Sequence, residues 1–341
     1  MTERDLPRVA HIVPAMLIGG VEVAIARSHG HLNESIDYRI YYVRKRGSLD
    51  CGQRHVSSLV WTCLTGSWRP DVLVTSLWWS HPFGALLRHF GAVWIAFFHN
   101  CGFTGRVQRA ILQSAWRSAD GRLVDSEATG AFFRAIGDND YRIVPYIFPD
   151  QAEGGDWLSR RYDFVWVGRR VAAKRADLVA TFMRQLADEK PEGSLCLIAS
   201  GEVPAEFASL DLGPGWAISI RQSLDGDSVR ELLADSRFFV LTSDFEGMSM
   251  VTIEAVFAGC VPVVRLVGEL KNYIGDGYEL AIPNGDATGL AAAAERVVER
   301  WEDSAFAAAA VKSIKDRIAD YSTYEQEFLS AVTNSHGRPP A

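Results

Sequence analysis

The chain reads as α/β, with two successive units that each hold a doubly wound parallel sheet, and three observations lead there. Short apolar, β-prone runs alternate with segments of helical spacing, the pattern of repeated β-α-β units. The alternation breaks once, over residues 146–161, where Pro149, Gly154 and Gly155 cluster. A chain of 341 residues with 48% apolar composition favours two cores over one or three. The expected boundaries are a first unit over 1–148, a connection over 149–161 and a second unit over 162–317. Residues 318–334 form a last helix and 335–341 a tail.

In the first unit the strands are expected at 8–13, 38–43, 71–76, 93–98, 121–124 and 142–144. Gly19 and Gly20 follow the first strand and open a helix to about residue 32. Adjacent glycines there let the backbone approach a phosphate at a helix N-terminus. Their spacing is not that of the dinucleotide fingerprint, which argues against a nicotinamide or flavin enzyme. His99 stands at the C-terminal end of the 93–98 strand, where such sheets bind ligands, and reads equally as a structural or a functional imidazole. His81 begins a helix and is a further candidate. Ser126 reads as a helix cap. Arg106, Arg109 and Arg117 recur at helical spacing, as on a solvated face or on one that meets phosphates or an anionic membrane.

In the second unit the strands are expected at 164–167, 194–199, 216–220, 238–241 and 261–264. Arg169 and Lys174 flank the loop after the first of them, where a guanidinium and an ammonium can converge on one anion. Two carboxylates stand where an ordinary core segment would avoid them. Glu246 lies in the loop after the 238–241 strand, and Glu254 about two turns into the next, apolar helix. Burying an unpartnered carboxylate there is costly, and a polar ligand would remove the cost. Asp225-Gly-Asp227 and Asp138-Asn-Asp140 spell a metal-binding D-x-D. The first reads as a helix cap at Asp227 and the second as a polar turn, so no metal is expected.

Composition narrows the partners. Net charge is −7, with 16 basic against 13 acidic residues over 1–150, which leaves 19 against 29 for the rest. The acidic half argues against general nucleic-acid binding. Five scattered cysteines without C-x-x-C spacing argue against a disulfide framework or zinc site and for a reducing, cytoplasmic setting. Neither a signal core nor a membrane-spanning run is expected.

The stretch Glu246-Gly-Met-Ser-Met-Val-Thr-Ile-Glu254 resembles the Glu-x7-Glu motif of retaining GT-B glycosyltransferases, especially glycosyltransferase family 4. Gly168-Arg169 with Lys174, Gly19-Gly20-Val-Glu22 and the segment from His99 to Phe103 are similar to further motifs of that family. The resemblance implies a GT-B fold, with two Rossmann-like domains facing a central cleft and a last helix returning to the N-terminal domain. It implies that Arg169 and Lys174 bind the donor diphosphate and stabilise the leaving group, that Glu246 contacts sugar hydroxyls, and that Glu254 holds the ribose. Gly247, Met248 and Ser249 would bind sugar and diphosphate through their amides, Gly19 and Gly20 would approach phosphate, and His99 would lie beside the sugar. Arg221 would lie near the base. The family usually carries Gly-Phe-Gly after the first Glu, and this chain has Gly247-Met248-Ser249.

The implied activity is a retaining, metal-independent transfer of a sugar from a nucleotide-diphosphate donor to an acceptor hydroxyl. The acceptor would be a glycan, lipid-linked or polysaccharide-biosynthesis intermediate, with no cofactor, and peripheral membrane contact would run through Arg106, Arg109 and Arg117. The alternatives are a GT-B sugar-nucleotide epimerase or phosphorylase, or a non-catalytic nucleotide-sugar-binding subunit.

Overall fold

The computed structural model describes residues 6–16, 19–44, 49–99, 101–137, 139–148, 154–283 and 285–335. Asp138, and with it one of the two D-x-D segments, lies outside them, as do 149–153 of the expected connection and the tail after residue 335. The chain divides into two units, Met1–Ile147 with Ser322–Ala341, and Phe148–Tyr321.

The first unit runs β1 (Arg8–Val13), α1 (Gly20–Asn33), β2 (Asp37–Tyr42), β3 (Arg54–His55), α2 (Val56–Thr65), β4 (Val72–Ser76), α3 (His81–Leu87), β5 (Val93–Phe98), α4 (Arg106–Ser118), β6 (Gly121–Val124), α5 (Glu127–Arg134) and β7 (Arg142–Ile143). The chain's last described element, α13 (Tyr324–Ser335), belongs to this unit. Its seven strands are all parallel in the order β3-β2-β1-β4-β5-β6-β7. Every residue of β4 and β5 is buried, which is why both read as continuous apolar runs rather than alternating ones. Leu59 and Cys63 of α2, Leu87 of α3, and Leu112 and Trp116 of α4 share one core with Trp94 and Phe98 of the sheet. These three helices therefore form one layer. Ser126 caps α5 by accepting from the Thr129 N–H.

A stack of rings fastens α13 to the unit. Tyr146 lies parallel to Tyr324 at 5.4 Å between centroids, Tyr324 to Phe328 at 5.5 Å, and Phe328 to His11 of β1 at 5.7 Å. The Tyr324 N–H donates to the Ile147 carbonyl, and the Arg142 guanidinium donates two bonds to Glu327 and one to Ser330.

The second unit runs β8 (Tyr162–Gly168), α6 (Ala176–Glu189), β9 (Gly193–Ala199), α7 (Ala205–Ala208), β10 (Trp216–Gln222), α8 (Gly226–Ala234), β11 (Ser236–Leu241), α9 (Met250–Phe257), β12 (Val261–Val264), α10 (Leu270–Ile274), α11 (Ala287–Glu299) and α12 (Ser304–Ile318). Its five parallel strands lie in the order β10-β9-β8-β11-β12. The strand order reverses between β8 and β11, and α/β sheets hold their ligands at such a point. The residues just before β8 are packed on this unit. Trp157 Nε1 donates to the Arg237 carbonyl, and Arg160 donates to the Ser236 and Ala258 carbonyls.

Two expectations are corrected. The cap of α8 is Asp225, whose carboxylate accepts from the Ser228 N–H, because the helix already begins at Gly226 and takes Asp227 into its first turn. Glu254 lies one turn into its helix rather than two, because Ser249 is left-handed (φ 53°) and α9 starts only at Met250.

Phe328 is fully buried in the ring stack. Replacing it with Ala is expected to cost about 3–5 kcal/mol, read as an earlier urea transition in near-ultraviolet circular dichroism.

Candidate functional site

The site is built where the loops after β8 and β11 meet. Lys174 ends a 3-10 turn, Ala172–Lys174, and its Nζ donates to Glu246 Oε1 at 2.6 Å. Side chains only 21% and 12% exposed make this a largely shielded pair. Three further ties hold the loops together. The Asp244 N–H donates to the Ala173 carbonyl, Thr242 Oγ1 to the Arg175 carbonyl, and the Asp244 carboxylate accepts from both Arg175 and Arg265. Arg175 itself is left-handed (φ 48°), which turns the chain from the 3-10 turn into α6.

A third loop presses on Glu246 from behind. Gly268 (φ 57°) lies so close to the Glu246 carbonyl that any side chain at 268 would collide with backbone. The Glu269 N–H donates to the Gly247 carbonyl and the Tyr273 hydroxyl to the Met248 carbonyl. Gly247 and Met248 are thus fixed through their carbonyls, with Met248 buried.

Ser249 accounts for the departure from Gly-Phe-Gly. Its backbone is in the left-handed region, where glycine costs nothing and a side chain costs about 1 kcal/mol. Its hydroxyl lies 2.8 Å from Thr252 Oγ1. The serine thus stands where glycine would be unstrained.

The remaining residues of this unit are placed as follows. Glu254 is buried on α9 at 8% exposure. Arg169 is exposed and, among the described residues, makes no side-chain hydrogen bond or ion pair; it lines a groove of about 300 Å³ with Arg170, Asp177, Pro204 and Glu206. Arg221 is exposed near the end of the edge strand β10 and is not drawn to the Lys174–Glu246 pair by any described contact.

In the first unit Gly19 is the N-cap of α1 in extended conformation and Gly20 its first residue, beside which an added Cβ would meet nothing within 4 Å. His99 is buried, its Nδ1 2.7 Å from the Tyr146 hydroxyl, and burial holds its pKa well below the ordinary histidine value, with His11 and His81 adding to the effect. His81 is buried too, with Nδ1 2.8 Å from Thr75 Oγ1 and its pKa pushed down to about 3 by burial.

Asp244, Arg265 and Tyr146 were not singled out from the sequence. Gly268, left-handed in a loop after an apolar strand, carried a local signal. The other three act across separations no local pattern encodes.

Residues 161–300 match the family model described as Glycosyl transferases group 1, a span that includes Arg169, Lys174, Arg221, Glu246 and Glu254. No curated protein matches the chain significantly in sequence. Among solved structures, a sucrose-phosphate synthase from Thermosynechococcus elongatus is similar at 17% identity and TM-score 0.70, over 96% of this chain and 98% of that one. HepE of Anabaena, in complex with UDP and glucose, is similar at 14% identity and TM-score 0.73, over 96% and 99%. An alpha-glucosyltransferase in complex with UDP-glucose and DNA containing an abasic site is similar at 13% identity and TM-score 0.66, over 96% and 99%. The fold is GT-B, and the domain match with these neighbours supports a glycosyl transferase enzyme. Because one neighbour holds DNA, the fold does not by itself support the expected exclusion of nucleic acid.

Ser249→Gly relieves the backbone and loses one hydroxyl contact, whereas Ser249→Ala loses the contact and keeps the strain. The Ala variant is expected to be less stable than the Gly variant by about 1 kcal/mol, measured as the difference in chemical unfolding midpoints.

Proposed function

We propose that the chain is a retaining, metal-independent glycosyltransferase that moves a sugar from a nucleotide-diphosphate donor to an acceptor hydroxyl. The single observation that carries this is the Lys174–Glu246 pair at the strand-order reversal of a group 1 glycosyl transferase domain. A lysine there would meet charge developing on the departing diphosphate, and Arg169, with no protein partner among the described residues, would add a second cation. That cationic pair is the reason for expecting no metal. Glu246 would exchange part of its bond to Lys174 for the hydroxyls of the donor sugar, and Glu254 would take the ribose. Retention would follow from attack on the same face, with a leaving-phosphate oxygen accepting the acceptor's proton.

UDP or UDP-glucose in two of the similar structures makes a uridine donor the first to test. We place the acceptor among glycan or lipid-linked hydroxyls and the enzyme in the cytoplasm at a membrane face. Between residues 51 and 119 the chain has six arginines, no lysine and one acid, Asp71. The α2–α4 layer that this segment builds also exposes Trp61, Leu64, Leu86 and Val107, each 61–67% accessible. Apolar side chains in a segment rich in arginine and poor in acids suit an anionic bilayer surface, although Arg88 is paired with Asp120 just beyond it. Among the described residues no helix is long and apolar enough to cross a membrane.

Lys174→Ala and Glu246→Gln are each expected to lower donor-dependent nucleotide release at least a hundredfold, with wild-type turnover kept in EDTA. Wild-type rates in both variants would remove the assignment. Co-sedimentation with vesicles rich in anionic lipid is expected to fall at least fivefold when Arg106, Arg109 and Arg117 are changed to Gln, and binding unaffected by those changes would exclude membrane contact through them.

A further inference from the structure

Three histidines, His11, His81 and His99, are buried in the first unit, and their hydrogen bonds separate them into two kinds. His11 has both ring nitrogens engaged, Nδ1 by the Tyr38 hydroxyl at 2.6 Å and Nε2 by Ser76 Oγ at 2.7 Å. His81 and His99 each have Nδ1 engaged by a hydroxyl and a buried Nε2 without a partner among the described residues.

We propose that Tyr146 is a positioning residue that holds His99 as the neutral tautomer with its proton on Nε2, so that His99 offers a hydrogen-bond donor to an uncharged oxygen of the substrate. The proposal rests on the glycosyltransferase reading for the identity of that substrate, a hydroxyl-bearing sugar or acceptor, and on geometry for the rest.

The geometry leaves two arrangements to compare. The Tyr146 hydroxyl and His99 Nδ1 lie 2.7 Å apart, and among the described residues neither has another partner. If the hydroxyl donates to Nδ1, the Nε2–H and the weakly basic phenol oxygen are left over. If Nδ1–H donates to the phenol oxygen instead, the hydroxyl hydrogen and the more basic Nε2 lone pair are left over. A phenol is a better donor than acceptor and a neutral imidazole nitrogen a better acceptor than a phenol oxygen, so the first arrangement makes the stronger bond and leaves the weaker acceptor unmet. Burial also keeps the ring neutral, which leaves the tautomer as its remaining variable.

The Tyr146 ring is in turn held rigidly. It is buried and stacks within 15–26° of parallel on Phe97, His99 and Tyr324. The hydroxyl therefore has little freedom to turn away, and α13 supports the histidine through Tyr324.

His81 is held in the same tautomer. Thr75 Oγ1 already accepts from Trp94 Nε1 at 2.9 Å, so its own hydrogen is free to donate to His81 Nδ1 at 2.8 Å and leave the proton on Nε2. A neutral N–H suits a hydroxyl or carbonyl oxygen. An anion such as phosphate is better matched by the arginine and lysine of the second unit. Nε2 of His99 is closed from solvent in this structure, so a ligand atom would reach it only with local displacement of its cover.

The test is histidine-selective ¹⁵N–¹H correlation spectroscopy on the full chain near pH 7, with His99→Gln to assign the signal. The wild-type His99 signal is expected to show the Nε2–H tautomer throughout, and Tyr146→Phe, which keeps the ring stack, to show a mixture of tautomers. Turnover of Tyr146→Phe is expected to fall about fivefold in kcat with KM for the donor unchanged, the size of one ordinary hydrogen bond. An Nδ1–H signal in the wild type overturns the proposal, as does a Tyr146→Phe spectrum identical to wild type. The wild-type spectrum decides the tautomer even where the variant does not fold. Absence of any transferase turnover in the wild type would instead overturn the functional reading, with the tautomer still read independently.

Discussion

The second unit depends on one short ion pair. Lys174 and Glu246 are 72 residues apart, yet they lie side by side because β8 and β11 are neighbours although they are not consecutive in the chain. A parallel sheet that grows outward in both directions from its first strand leaves a gap between the two loops at that strand's C-terminal end. Here the gap is closed by a carboxylate and an ammonium, with Asp244 held between Arg175 and Arg265 beside them. The other constraints follow from keeping Glu246 in reach. Gly268 has no side chain because the Glu246 carbonyl occupies its space, and Tyr273 pins the Met248 carbonyl.

The first unit is organised by burial rather than by charge. Buried imidazoles and hydroxyls lie against a column of rings, and part of that column comes from the chain's far end. Helix α13 is thus a structural member of a unit whose other elements were completed about 180 residues earlier, by the 3.8 Å step of the chain a long way round. The Arg142–Glu327 ion pair is partly exposed and adds little by itself; the buried rings carry most of the attachment.

Much of this was legible because parallel strands are buried on both faces. The residues 93–98 and 261–264 are nearly continuous apolar runs, and each forms the strand its pattern predicts. The two-residue β3 is too short for periodicity to register, and α2 follows it without a turn signal. Asp225 and Asp227 both have the chemistry of a cap, and only the backbone decides which one precedes the first helical residue. Lys174 and Glu246 stood out as candidates, but their direct bond depends on strand order, which spacing along the chain does not contain. Tyr146 was invisible for a stronger reason: it opens the stretch where the alternation breaks, and its hydroxyl acquires meaning only beside His99.

Among the described residues, four other than glycine adopt the left-handed conformation: Leu77, Arg175, Ser223 and Ser249. Leu77 directly follows β4 and Ser223 directly follows β10, while Arg175 and Ser249 stand in the loops beyond β8 and β11. All four lie on the C-terminal side of a strand, where α/β sheets carry their ligand loops. An evolving chain could relax each with a single change to glycine, and the gain in stability would come with a looser loop. These positions mark where the fold trades robustness for a fixed loop geometry, so selection for heat resistance alone would pull on the same residues that selection for activity holds in place.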